Sequence, residues 1–129
     1  MKIYTSNFGN LRKLREKFIL PIAIVRYAPK WYDGFNYQRL APTSPMLSYG
    51  EPEYRVAFGK LLNHLNPHAI VGELTAISGG KDIALLCYEK DGEFCHRHLV
   101  ADWLKANGYD VTEFGGGCSH TPIEELSLF

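Results

Sequence analysis

Three consecutive side chains, Cys95, His96 and Arg97, bring a thiol, an imidazole and a guanidinium together in one short stretch. The stretch follows a loop and opens an apolar run, so we expect it to lie at the start of a helix. A helix start offers free backbone N–H groups, which favour bound anions and the thiolate form of a cysteine. Glu89 precedes the stretch, and its carboxylate can act as a general base or stabilise a cationic sugar transition state. These residues are the first candidates for a catalytic or anion-binding site.

Three interpretations of this cluster remain open from the residues alone. In the first, Cys95 is a nucleophile and His96 or Glu89 is its acid or base. Cysteine phosphatases, however, have a glycine-rich cradle of several residues between their cysteine and arginine, whereas a single histidine separates Cys95 from Arg97. In the second, Arg97 and the helix N–H groups bind a phosphate or carboxylate, Glu89 accepts from a hydroxyl or base edge, and His96 bridges the two. In the third, Cys87 and Cys95 fill the core and His96 is a satisfied buried histidine. Arg97 then pairs with Glu89.

The potential metal ligands do not show the spacing of a zinc site. They are Cys87, Cys95, His96, His98, Cys118 and His120. The sequence contains no C-x-x-C pair, and side chains two residues apart on a helix point about 200° apart, so His96 and His98 cannot share one ion. We expect no metal and no cofactor, and we expect the three cysteines to be free thiols.

The segment 27–50 lacks apolar periodicity, contains several prolines and glycines, and is predicted to be a long irregular loop. It interleaves cations with aromatic rings, a composition that can stack on bases while neutralising phosphate. The residues concerned are Lys30, Trp31, Tyr32, Phe35, Tyr37 and Arg39. The alternative is that these rings cover the edge of the sheet. Arg26, at the end of a predicted strand, would lie at the base of the loop.

The formal net charge of zero hides an asymmetry between the two parts of the chain. Up to Leu40 there are eight basic and two acidic residues, a charge of +6, so the remainder carries −6. A basic half can recognise an anionic partner, and two oppositely charged halves can equally face each other through surface ion pairs. Both interpretations stay open.

Apolar patterning predicts alternating strands and helices across one domain, 1–129, with a glycine-led tail at 115–129. Strands are predicted at 2–5, 22–25, 83–87 and 109–112, and helices at 11–18, 51–64, 68–77 and 95–106. Pro21 bars continuation of the first helix. This alternation predicts an α/β fold, a single three-layer domain with a mostly parallel sheet flanked by helices. Ligands of such sheets bind at the carboxyl ends of the strands.

The two elements around the cluster assign its side chains to faces. In the strand, a period of two places Cys87 and Glu89 on the same side as Ile83 and Leu85. On the following helix, His96 lies near the centre of the apolar face, whereas Arg97 and His98 point away to opposite flanks.

Two stretches resemble the family known as domain of unknown function 488. One is Leu85-Leu86-Cys87-Tyr88-Glu89 followed by Cys95-His96-Arg97 and an apolar helix, and the other is the strand ending in Arg26 with Pro29-Lys30-Trp31. Together they cover most of the chain between Ile3 and Val111. The resemblance implies an α/β domain and a site built from the matching Arg26, Cys87, Glu89, Cys95, His96 and Arg97. It implies no settled reaction.

Together these features favour an enzyme that acts on a nucleotide, nucleoside or nucleic-acid substrate. We assign catalytic roles to Glu89, Cys95 and His96, and substrate binding to Arg26, Lys30, Trp31 and Arg97. The alternative is a non-enzymatic module that binds nucleic acid or an acidic protein through its basic first half. The sequence shows neither a secretory signal nor an apolar run long enough to span a bilayer, so we expect a cytoplasmic protein without a membrane partner.

Overall fold

A computed structural model describes residues 1–88 and 94–115 of the chain. Within these ranges, five strands form one parallel sheet in the order β3-β2-β4-β1-β5. The strands are β1 (Ile3–Asn7), β2 (Leu20–Ala23), β3 (Phe35–Asn36), β4 (Ile83–Cys87) and β5 (Val111–Glu113). The helices are α1 (Leu11–Glu16), α2 (Glu51–Asn63), α3 (Pro67–Ser78) and α4 (His96–Ala106). The predicted α/β fold is confirmed.

Strand β4 lies at the centre of the sheet and pairs with β1 on one side and β2 on the other. All five of its residues are buried, as expected for a continuous apolar run in a parallel sheet covered on both faces. The register pairs Asn7 with Cys87 and Ala23 with Leu86. The carboxyl ends of the three central strands therefore meet at one edge of the sheet.

Two apolar clusters separate the faces of the sheet. Leu85 packs with Phe58, Ile70 and Leu104 from α2, α3 and α4. Leu86 instead packs with Leu14 and other apolar residues on the face covered by α1. The alternation predicted for β4 is thus confirmed at Leu85 and Leu86, but Cys87 packs in the cluster of Leu86 and not, as predicted, with Leu85. The arrangement is consistent with three layers.

Two boundaries differ from the sequence prediction in the region between α1 and β2. The first helix ends at Glu16, and Phe18 is 88% exposed with a positive φ of 60°. Pro21 lies inside β2, where it pairs with Ala84 of β4, while the pairing of β2 with β3 begins only at Ile22. Proline has no N–H group to donate to a neighbouring strand. It is tolerated here because β2 is not yet paired with β3 at this position.

The segment 27–50 is more regular than predicted. It contains strand β3 and short 3₁₀ turns at Gln38–Leu40 and Pro45–Ser48, which bury Leu40 and Met46 in the core. The prediction of an irregular loop is therefore wrong for these parts. Most of the predicted tail, residues 116–129, lies outside the described ranges. Among the helices described, none is both long and apolar enough to cross a bilayer.

The central strand provides a direct test of this packing. Leu85→Ala should lower the free energy of unfolding by about 2–5 kcal/mol, because it leaves a cavity at a position with no exposed surface. Leu47→Ala is the matched control, since its side chain is 53% exposed and the loss should stay near 0.5 kcal/mol. Urea unfolding monitored by circular dichroism measures both. Equal losses in the two variants would contradict the assigned core.

Candidate active site

A cleft of about 450 Å³ opens beside the carboxyl ends of β2 and β4. Aromatic rings form much of its lining, contributed by Tyr27, Tyr49, Tyr54, Tyr88 and Phe94. Cys95 and His96 also line it, as does the cationic side chain of Arg26. The cleft lies where ligands of parallel sheets are expected, at the strand ends next to the start of a helix.

His96 is buried in the first turn of α4, as the apolar face of the helix predicted. Its ring packs edge-on against Phe58, and its Nε2 lies 2.5 Å from the carbonyl oxygen of Ile24. Since a carbonyl oxygen can only accept, Nε2 carries the proton and donates this bond. The pKa of His96 is lowered to about 4. Burial is the largest cause and the charge of Arg97 acts in the same direction, whereas the bond to Ile24 acts in the opposite direction. The ring is therefore neutral near pH 7, with a lone pair on Nδ1.

Cys95 directly precedes α4 and places its Sγ 3.8 Å from Nδ1 of His96. This is the unprotonated nitrogen, so it can accept a proton from the Cys95 thiol. The sulfur atoms of Cys95 and Cys87 are joined in a disulfide. The prediction of free thiols is therefore wrong for these two residues, because the end of β4 and the start of α4 converge in space. Cys118 lies outside the described residues.

Arg97 does not point to the flank of the helix, as the helical spacing predicted, but has no exposed surface. Its Nε and Nη2 donate to the Glu113 carboxylate, at 2.8 Å for the shortest contact, and its Nη1 lies 2.9 Å from Cys87 Sγ. These partners at the ends of β5 and β4 compensate a charge that would otherwise be costly to bury. Arg97 does not line the cleft.

Glu113 is the positioning residue that sequence analysis missed. Its Oε1 also accepts a hydrogen bond of 2.6 Å from Thr5 Oγ1, so the carboxylate links α4 to β1 as well. The apolar pattern predicts that the last strand ends at Thr112, one residue before Glu113. The signal in the sequence is a carboxylate directly after a predicted strand, which is a possible partner for the cation at the start of the predicted helix.

The other predicted site residues occupy different places. Arg26 donates to the carbonyl of Pro42 and to Gln38 Oε1, both at 2.8 Å, and it has no carboxylate partner within the ranges the structure describes. Lys30 and Trp31 are exposed and do not line the cleft; the Trp31 ring packs edge-on against Phe8. Their assignment to substrate binding stays a prediction. Glu89, the predicted carboxylate of the site, lies outside the described residues.

The ligand atoms of Cys87, Cys95 and His96 lie within 4.8 Å of one another. Two thiolates and a neutral imidazole would suit a soft cation such as zinc, and the bond from Nε2 to a backbone carbonyl is the usual support of a histidine ligand. The disulfide withdraws both thiolates, so only the reduced protein could offer this ligand set. The cluster joins the end of β4 to the start of α4, so the residue spacing within a single element does not reveal it.

The ion pair of Arg97 should contribute substantially to stability. Glu113→Gln replaces the carboxylate by a neutral amide of the same shape, and we expect a loss on the order of 3 kcal/mol in the free energy of unfolding. Glu51→Gln is the matched control: its pair with Arg55 is about half exposed on both sides, so its loss should stay below about 1 kcal/mol. Urea unfolding at neutral pH compares the two. A loss at Glu113 no larger than that at Glu51 would contradict a structural role for this ion pair.

The lowered pKa of His96 predicts a loss of stability in mild acid. The unfolded chain binds a proton here near the ordinary value of 6.5, whereas the folded protein does so only near 4. Unfolding therefore takes up a proton between these values, and the free energy of unfolding falls as the pH decreases through them, by about 3 kcal/mol in total.

His96→Gln should remove this component of the pH dependence, measured by urea unfolding at several pH values between about 7 and 4. His64→Gln is the control and should retain it, because His64 is exposed and its ring contacts the carbonyl oxygen of Lys60 on its own helix. An unchanged pH slope in His96→Gln would show that burial does not hold this ring neutral.

A comparison with protein families matches residues 3–108 to the family model DUF488-N3a, described as the active DUF488-N3 subclade. The matched range runs from β1 through α4 and contains every residue named above as lining the cleft, whereas β5 with Glu113 lies beyond it. Neither the curated proteins nor the solved structures gave a significant match. Because the model covers most of the chain, this protein belongs to the DUF488-N3a family.

Proposed function

We propose that this protein is an enzyme acting on a nucleotide, nucleoside or nucleic-acid substrate that binds in the aromatic cleft. The observation that carries the proposal is the combination within one cavity of stacking surfaces, the Cys95–His96 pair and Arg26, a cation without a carboxylate partner among the described residues. The description of the matching family as an active subclade also favours an enzyme.

The cleft has the size and lining that such a ligand needs. Its volume of about 450 Å³ falls in the usual range of small-molecule sites. Every nucleic-acid base has a π-face, so rings such as Tyr49 and Tyr54 can bind a base by stacking, whichever of the bases it is. Arg26 is directed only to neutral oxygens among the described residues, and its charge suits a phosphate group.

The chemistry of the proposed enzyme depends on the reduced form of Cys95. As the sulfur bonds to an electrophilic atom of the substrate, its proton passes to Nδ1 of His96, which holds it only during the transfer because its lowered pKa favours the neutral ring. The leaving group departs with the electrons of its bond and takes the proton from Nδ1. A carboxylate from Glu89 would assist at the sugar, as predicted from the sequence. Because Arg97 is bound to Glu113, phosphatase-type transfer, which needs the arginine at the phosphate, is disfavoured.

Ligand binding to the reduced protein tests the proposal. Isothermal titration with nucleosides, mononucleotides and short single-stranded oligonucleotides should identify at least one ligand class, and mass spectrometry of the mixtures should detect its conversion. Tyr49→Ala and Arg26→Gln should each weaken binding about tenfold, the loss expected for one stacking or one charged contact. The matched controls Phe35→Ala and Arg12→Gln alter exposed residues that do not line the cleft and should bind normally. Cys95→Ser should bind but not turn over.

Two results would overturn the proposal. One is the failure of all three ligand classes to bind. The other is oligonucleotide binding that survives the cleft variants and Cys95→Ser but is lost when Lys30→Ala and Arg39→Ala are combined. That second result would favour the non-enzymatic module that binds through the basic first half of the chain.

A further inference from the structure

The two bonded cysteines lie in different surroundings. Cys95 lines the cleft and has the imidazole Nδ1 of His96 beside it. Cys87 has no exposed surface and does not line the cleft. Both cysteines are buried, Cys95 with 2% of its surface exposed and Cys87 with none, so the cleft approaches the disulfide from the side of Cys95.

One contact of Cys87 can stabilise negative charge on its sulfur. The Nη1 of Arg97 lies 2.9 Å from Cys87 Sγ, and the guanidinium is held in place by the two-pronged bond to Glu113. A cationic donor beside a sulfur stabilises the negative charge that develops when its bond breaks. In thiol–disulfide exchange, the sulfur with the more stable thiolate is the better leaving group.

We propose that Cys87 and Cys95 are a redox-active pair that exchanges with small thiols through the cleft, with Cys95 the attacked sulfur and Cys87 the leaving thiolate. A small-molecule thiolate attacks Cys95 Sγ, forms a mixed disulfide, and releases Cys87 with both electrons of the broken bond. A second small-molecule thiolate attacks the outer sulfur of the mixed disulfide and releases Cys95 as a thiolate. The protein gains two electrons and one small-molecule disulfide forms. The reverse sequence, with that disulfide as oxidant, restores the bond.

The pair would also regulate the cleft, because a Cys95 thiol is present there only in the reduced protein. This regulatory consequence rests on the proposed function. The exchange itself requires no nucleotide and can be measured without one, so either proposal can fail while the other stands.

Equilibration of the full-length protein in glutathione buffers of graded redox ratio tests the exchange, with thiols counted by alkylation and adducts located by peptide mass spectrometry. The wild type should pass reversibly between a dithiol and an internal disulfide. Cys87→Ser should accumulate a mixed disulfide with glutathione on Cys95, because the resolving sulfur is missing. Cys95→Ser should accumulate at least tenfold less adduct on Cys87. Cys118→Ser is the matched cysteine control and should behave as the wild type.

A pair that stays bonded in the most reducing buffer, or stays reduced in the most oxidising one, would overturn the proposal. So would equal capture of glutathione by Cys87 and Cys95 in the single variants. If the exchange succeeds and the cleft turns over a nucleotide, the oxidised protein should do so at least tenfold more slowly. Equal turnover by the two forms would remove the regulatory role alone.

Discussion

The burial of the Arg97 guanidinium is the constraint on which the site depends. Withdrawing such a charge from water costs several kcal/mol, so its hydrogen-bond partners must be fixed in the folded protein. Among the described residues, two of these partners lie at the ends of strands, Cys87 of β4 and Glu113 of β5, and Glu113 is held in turn by Thr5 of β1. One side chain in the first turn of α4 thereby fixes the helix start against three strands.

The residues on either side of Arg97 take their places from this arrangement. His96 reaches across to the backbone just beyond β2, where its bond to Ile24 selects the tautomer and leaves Nδ1 beside Cys95. Tyr54 and Phe58 from α2 cover the ring and exclude water, which is why it stays neutral. The helix start thus gathers a base and a sulfur at the cleft, while the adjacent cation is used internally.

The fold was predictable because its signals are local. The continuous apolar run Ile83–Cys87 and the proline and glycine at the ends of α3 determine the type of their elements without distant contacts. The burial of His96 was predictable for the same reason, since helical spacing alone places it on the apolar face.

The rest of the site depends on residues that are distant in the sequence. Helical spacing directs Arg97 to a flank of the helix, whereas in the structure it is buried and paired with Glu113 at the end of a distant strand. The bond between Cys87 and Cys95 likewise depends on two elements meeting in space. From the segment 27–50, Tyr27 and Tyr49 line the cleft, whereas Trp31 packs on Phe8, and its assignment to substrate binding stays a prediction.

The rate of alkylation of Cys95 in the reduced protein, with and without a bound nucleotide, tests the central claim most directly. Nucleotide in the cleft should cover this sulfur and slow its modification at least tenfold. Saturating nucleotide that leaves the rate at Cys95 unaltered would contradict the placement of the reactive pair in the substrate cleft.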